Sequence, residues 1–299
     1  MRIIRHPKKK SLKGCVVALG TFDGVHRGHR QILRQAVKHA RKIRAAAIAI
    51  TFDPHPQQVI VPERGLKLLT TLKEREELFC QHGMDGVIVV RFSKHTQKLT
   101  YEQFIERYLV DRLGVRHVVI GYDYAFGRGR SGNAAELQRL GKKHGFSVSI
   151  VPAVRVGRQP IKSRYIRELI SAGEFNQALS LLGHPYQLNG RVVRGSGRGR
   201  QLGFPTANLK LAGNKLIPAH GVYAGRLNKR KCVVNIGARP TFGPDQTVIE
   251  VHLFNFQGSL RGRRLSVELT RRLRPEKQFS DVEKLKEQIK RDIIRVKQL

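Results

Sequence analysis

The sequence predicts an α/β domain followed by a small antiparallel β domain, and three observations predict it. Over roughly the first 150 residues, short apolar runs alternate with segments whose apolar residues recur every three or four positions. Beyond about residue 185 the helical spacing gives way to β-branched and aromatic runs separated by glycines. Directly after the apolar run Cys15–Leu19 stands a glycine-flanked turn, Gly20-Thr21-Phe22-Asp23-Gly24-Val25-His26-Arg27-Gly28-His29, which leads into a helical pattern.

In the first half, Val16–Leu19, Ala46–Phe52, Gly86–Val90, His117–Ile120 and Val148–Val151 read as strands. Helical spacing falls at His29–Arg44, Lys73–His82, Tyr101–Leu113 and Ala134–His144. Strand–helix alternation predicts a Rossmann-like parallel sheet with helices on both faces, whose ligands sit beyond the carboxyl ends of the strands. Phe175–Leu182 reads as a short helix ended by Gly183, with Pro185 after it, so the domains are expected at 1–184 and 185–299. In the second, Gly190–Val193, Gly221–Leu227, Lys231–Ile236, Val248–Phe254 and Arg264–Leu273 have the texture of a small barrel. A closing helix is expected from Ser280 as N-cap to about Val296, with Val282, Leu285, Ile289 and Ile293 on one face.

Composition narrows the class. Hydrophobic residues make up 40% of 299, enough for ordinary cores and against disorder. Three cysteines without a CxxC pair argue against a disulfide framework or a structural zinc site and for a reducing cytoplasm. No apolar run is long enough to span a membrane, and the basic start lacks the apolar core of a secretory signal. The formal net charge of +35 would attract polyanions non-specifically. Its dispersal over Lys8–Lys13, Arg191–Arg200, Arg261–Arg264 and Arg271–Lys277 reads as a general surface property.

The Gly20–His29 turn suits a nucleotide phosphate. Unpaired N–H groups at a helix start favour an anion, and two imidazoles three residues apart can stabilise charge developing on phosphate. Gly195-Ser196-Gly197-Arg198-Gly199-Arg200 superficially matches a dinucleotide loop. Gly203-Phe204-Pro205, however, interrupts the helix such a loop needs.

Four groups of residues together carry a resemblance. GTFDGVHRGH at 20–29 resembles the HxGH signature of the nucleotidyltransferase superfamily, in the form used by bacterial FAD synthetases. Leu202-Gly203-Phe204-Pro205-Thr206-Ala207-Asn208, then Asn235-Ile236-Gly237-Ala238-Arg239-Pro240-Thr241, then Glu250-Val251-His252 resemble successive riboflavin kinase motifs. In this order, the chain resembles the bacterial bifunctional riboflavin kinases/FAD synthetases from about residue 14 onward.

The resemblance implies phosphorylation of riboflavin to FMN, then adenylylation of FMN to FAD with release of pyrophosphate. ATP would be co-substrate in both steps, and Mg²⁺ the cofactor. For the kinase it implies Glu250 as general base on the ribityl hydroxyl and Thr206 and Asn208 as ligands of Mg²⁺ and phosphates, with Gly197 and Gly203 against the nucleotide. For adenylyl transfer it implies phosphate contacts from His26 and His29. Gly20, Phe22, Asp23, Gly24 and Gly28 would shape or line that phosphate site, joined by Ser163 and Arg167. Phe52, Pro54, His55 and Pro56, with Asp123 and Phe126, would face the flavin. The aromatics could alternatively be core residues at strand ends.

Two segments depart from the family pattern. Where the family carries Ser-Ser-Thr-x-Ile-Arg, this chain reads Lys162-Ser163-Arg164-Tyr165-Ile166-Arg167. Gly258-Ser259-Leu260-Arg261-Gly262 lacks the common Asp and Tyr of a flavin loop. The first departure leaves open a kinase-only protein with an impaired adenylyltransferase domain. A binding protein without chemistry, docking on nucleic acid through its charge, is the remaining alternative.

Overall fold

A computed structural model describes residues 1–4, 14–195, 197–238 and 247–299. The expected site segment Arg239-Pro240-Thr241, Ser196 and the basic run Lys8–Lys13 lie outside the described residues. The chain divides into two compact units, Met1–Ser163 and Arg164–Leu299.

The first unit is built on six strands: β1 Arg2–Ile4, β2 Val16–Leu19, β3 Ala47–Asp53, β4 Gly86–Arg91, β5 His117–Gly121 and β6 Ser147–Val151. They form one parallel sheet in the order β1-β4-β3-β2-β5-β6. Period-two alternation splits the apolar residues between two faces. Val17, Leu19, Ile48, Ile50, Phe52, Ile88 and Val90 pack with Phe104, Leu109 and Leu137 on one side. Val16, Ala18, Ala47, Ala49, Val87 and Val89 pack with Leu33, Ala36 and Phe79 on the other. Both faces are therefore buried, which is why these strands are apolar throughout. A two-residue hairpin, β7 Arg155–Val156 with β8 Gln159–Pro160, follows the sheet.

The second unit is a closed barrel of β9 Tyr186–Val193, β10 Ala207–Leu211, β11 Gly221–Leu227, β12 Arg230–Ala238, β13 Thr247–Leu253 and β14 Arg264–Arg274. Its strands pair antiparallel in the order β10-β13-β12-β11-β14-β9. The helix Phe175–Leu182 packs on it through Phe175, whose ring meets Tyr186 and Tyr223 edge-on at 6.0 and 5.0 Å. Asn176 clasps the backbone of Arg272 in both directions, at 2.8 and 3.2 Å. The closing helix Val282–Gln298 lays Val296 and Ile293 on Val222, Ala224, Val233 and Leu273. Arg274 also binds Asp292 on that helix at 2.8 Å.

Several local expectations shift. The closing helix is capped by Asp281, whose side chain accepts from the Lys284 N–H at 2.8 Å, and not by Ser280, which lies one residue outside. The expected helix Tyr101–Leu113 is Tyr101–Phe104 running into a π-helical segment Ile105–Val110. The glycine-rich segment is followed by one helical turn, Arg198–Gln201, so it does not build a dinucleotide loop.

Candidate functional site

In the first unit the strand order reverses between β2 and β5, and the carboxyl ends of those strands are where parallel sheets of this kind open a ligand crevice. The turn after β2 and the loop after β5 both fall there. The helix Arg27–Lys42 starts inside the turn with an unusual cap: His26 accepts from the His29 N–H through Nδ1 at 3.3 Å. An accepting Nδ1 leaves the proton of neutral His26 on Nε2. The two imidazoles stack at 3.6 Å with 18° between their planes. Burial, reinforced by the nearby charges of His26 and Arg75, holds the His29 pKa well below 6.5. His29 is thus a neutral ring. Its Nδ1 is buried without a hydrogen-bond partner among the described residues. Gly28 leaves room for this arrangement, since a Cβ there would lie 3.2 Å from the His26 ring and press on it.

The rest of the turn is a support. Asp23 is 1% exposed and accepts from the backbone N–H of Leu69 at 3.1 Å and Thr70 at 3.0 Å, and from the Thr70 hydroxyl at 3.2 Å. Gly24 donates its N–H to that same hydroxyl at 2.8 Å. Phe22 is fully buried, edge-on to His29 at 5.3 Å and to Phe79 at 5.4 Å. A Cβ on Gly20 would press on its ring. Phe22, Asp23 and Gly24 therefore hold the histidines from behind.

Arg75, which the sequence reading passed over, holds the same turn. Its guanidinium is 1% exposed and donates to the Thr21 carbonyl at 3.0 Å, the Thr51 hydroxyl at 2.8 Å and the Phe52 carbonyl at 3.2 Å. It thereby ties the ends of β2 and β3 together. In the run Lys73-Glu74-Arg75-Glu76-Glu77 it reads as one more charge on a solvated helix face.

On the flavin-assigned side, Phe52 packs against Phe92 and Phe104, and Phe126 against Tyr101, Phe104 and Tyr124. Both rings are under 8% exposed, so they are core residues at strand ends. Pro54 is exposed, and His55 caps the helix Pro56–Ile60 by accepting from the Gln57 N–H at 3.2 Å. Asp123 is half-exposed in the β5 loop and ion-paired with Lys162 at 3.7 Å. Ser163 donates its hydroxyl to the Asp23 carbonyl at 2.8 Å, which pins this segment to the histidine turn. Arg167 lies one turn further along the helix Ser163–Ala172.

In the second unit, register assembles what the sequence scatters. Glu250 on β13 stands opposite Asn208 on β10 and opposite Asn235 on β12. Ile249, Val251 and Leu253 alternate into the core, which turns Glu250 and His252 to the outer face of the barrel. Directly opposed residues have Cβ atoms about 5 Å apart, so the three side chains form one cluster. Glu250 has no hydrogen bond or ion pair among the described residues, so its carboxylate is available as a base. His252, part of the third kinase motif but given no role by the sequence, donates through Nδ1 to the Pro205 carbonyl at 2.9 Å and fixes the segment before Thr206.

The glycine-rich loop lies on this cluster. A Cβ at Gly199 would stand 2.6 Å from the Phe204 carbonyl oxygen and 2.9 Å from the Thr206 hydroxyl, and one at Gly195 would collide with the Asn208 amide. Gly197 and Gly203 flank the turn Arg198–Gln201 with positive φ. No cluster of three His, Cys, Asp or Glu able to hold a metal occurs among the described residues. Thr206 and Asn208 offer hard oxygens in a set too small to enclose an ion, which suits Mg²⁺ shared with nucleotide phosphates.

Comparison with known proteins agrees with this division. Residues 8–165 match the family model described as FAD synthetase, and residues 182–299 match that of riboflavin kinase. A bifunctional riboflavin kinase/FMN adenylyltransferase of Escherichia coli K12 is 36% identical over 297 residues, covering 98% of this chain and 95% of the relative. One from Listeria monocytogenes is 37% identical over 283 residues, covering 93% and 90%. A crystal structure titled as a macrolide-efflux protein from Streptococcus pneumoniae superposes with a TM-score of 0.88 at 30% identity, covering 100% of both chains. With both halves matched in order and the relatives aligned over nearly the whole length, this chain belongs to the bifunctional riboflavin kinase/FMN adenylyltransferase family.

Proposed function

We propose that this protein makes FMN from riboflavin at the Asn208–Glu250–Asn235 cluster and FAD from FMN at the histidine turn, using ATP in both steps. Both activities are those of its family, and no observation favours a kinase-only protein. The observation that carries the site assignment is the register that brings Asn208, Glu250 and Asn235 opposite one another, with Glu250 unpartnered among the described residues.

In the kinase unit Glu250 takes the proton from the ribityl hydroxyl as it attacks the γ-phosphate of ATP. Thr206 and Asn208 would hold Mg²⁺ together with the phosphates, and the ion would supply positive charge to the transferring group. The loop around Gly197–Gly203 covers the nucleotide. In the adenylyl unit a phosphate oxygen of FMN attacks the α-phosphorus of ATP. The bond to the β-phosphate breaks, and its electrons leave with pyrophosphate. No protein nucleophile is needed, so alignment and charge stabilisation are the whole task. His26 and His29 donate to the phosphates, His29 as a neutral ring, on a turn held by Asp23 and Arg75. Pro54, His55, Pro56 and Asp123 present the flavin side. Three free thiols, Cys15, Cys80 and Cys232, fit a reducing cytoplasm. The charge of +35 supports non-specific attraction of polyanions.

Chromatography of a reaction holding riboflavin, ATP and Mg²⁺ tests this reading. FMN should appear first and then convert to FAD. FMN that accumulates without FAD would remove the adenylyl assignment, and absence of both products would remove the kinase as well.

A further inference from the structure

The segment Ile161-Lys162-Ser163 combines a rigid base with a loosely held cation. Ile161 is 8% exposed and donates its N–H to the Val154 carbonyl at 2.9 Å, and Ser163 is tied to the Asp23 carbonyl at 2.8 Å. Between them the Lys162 side chain is 54% exposed, and its ammonium lies 3.7 Å from the Asp123 carboxylate, itself 52% exposed. At that distance and exposure the ion pair is screened by water and easily exchanged. The other cation introduced by this segment, Arg164, lies in the first turn of the following helix, where it pairs with Glu168 at 2.9 Å.

The position is significant for the departing group. Pyrophosphate leaves with several negative charges, yet His29 is neutral and Arg75 is 1% exposed, with Nη1 bonded to Thr21, Thr51 and Phe52. A mobile cation at the rim can follow a departing diphosphate in a way that a guanidinium fixed in the interior cannot. Lys162 is already there, bridging from the segment pinned to the histidine turn to the loop after β5.

We infer that Lys162 is an exchangeable cation for the departing diphosphate: paired with Asp123 in the free protein, it moves to the β- and γ-phosphates when ATP binds, so that Asp123 competes with the nucleotide for one ammonium. The inference rests on the adenylyl-transfer reading of this unit. It gives Lys162 a binding role and Asp123 an opposing one. A latch that merely stabilises the loop would make the two residues partners with the same sign of effect.

The test is the KM for pyrophosphate in the reverse reaction, FAD plus pyrophosphate to ATP plus FMN, which does not involve the kinase site. The full-length protein would be compared with Lys162→Ala, Lys162→Arg and Asp123→Asn, and hydrogen exchange at the β2 and β3 amides would verify that each first unit is folded. Lys162→Ala should raise that KM about tenfold and Lys162→Arg should leave it near the starting value. Asp123→Asn should lower it, by up to about fivefold. A rise in both Lys162→Ala and Asp123→Asn, or no change in Lys162→Ala, overturns the inference. If the unaltered protein neither makes FAD nor consumes pyrophosphate, the adenylyl reading itself fails, and the role assigned to Lys162 falls with it.

Discussion

Replacing Asp23 by alanine should disable FAD formation while sparing FMN formation, and the structure sets the scale of the damage. The carboxylate is buried and accepts three hydrogen bonds, from the Leu69 and Thr70 N–H groups and the Thr70 hydroxyl. The Thr70 hydroxyl keeps the bond it accepts from the Gly24 N–H but loses the acceptor of its own proton, which it can regain by rotation. The two backbone donors lose this acceptor in a dry site, at about 1–3 kcal/mol each, so the first unit should lose about 3 kcal/mol. Asp23→Asn keeps a carbonyl oxygen for one donor and should lose about 1 kcal/mol. Hydrogen exchange read at the Leu69 and Thr70 amides gives the local change, and urea unfolding gives the global one. The product assay, run separately with FMN and with riboflavin, reads the two activities. The reasoning fails if Asp23→Ala forms FAD at the original rate with those amides still protected, or if FMN formation falls in parallel.

Glu250→Gln should cut FMN formation by about 10²–10⁴-fold and leave FAD formation from supplied FMN intact, whereas His29→Ala should do the reverse; separate assays of the two steps check both. Gly199→Ala places a methyl 2.6 Å from the Phe204 carbonyl oxygen and should weaken ATP use by the kinase alone, seen as a raised KM for ATP in FMN formation. His117 stacks on His39 at 3.6 Å and bonds the Ser147 and Ser149 hydroxyls at 2.6 and 2.9 Å. Burial, with the His39 charge second, pushes its pKa down from 6.5 to about 4. The unfolded chain then takes up the proton first, so stability is full above pH 6.5 and is lost progressively down to about pH 4, by up to about 3 kcal/mol. The difference in unfolding free energy between the original protein and His117→Gln should shrink across that window, and a constant difference would exclude the effect.

Much of the architecture was legible because periodicity is a local property. The helices Ala134–His144 and Phe175–Leu182 and the strands Val16–Leu19 and Gly221–Leu227 fall on the bounds the sequence predicts. The strand β10 was legible only as a motif, since Ala207–Leu211 is too short and mixed to announce itself. Phe52 and Phe126 show the limit of aromatic patterns: a ring beside a glycine turn reads the same whether it faces a ligand or the core.

The sequence by itself determined the order of the two domains, the turn that carries two histidines, and the glycines that let backbone and side chains approach closely. These follow from dihedral preference and from the spacing of apolar residues along one short segment. Tertiary structure alone decided what those residues have to act with. Arg75 lies 54 positions from Thr21 and 24 from Thr51. Asp23 meets Thr70 across 47 positions, and Asn208 meets Glu250 through strand register. A buried cation and an exposed one have the same local signature; only the packing of distant elements withdraws one from water and leaves the other at the rim.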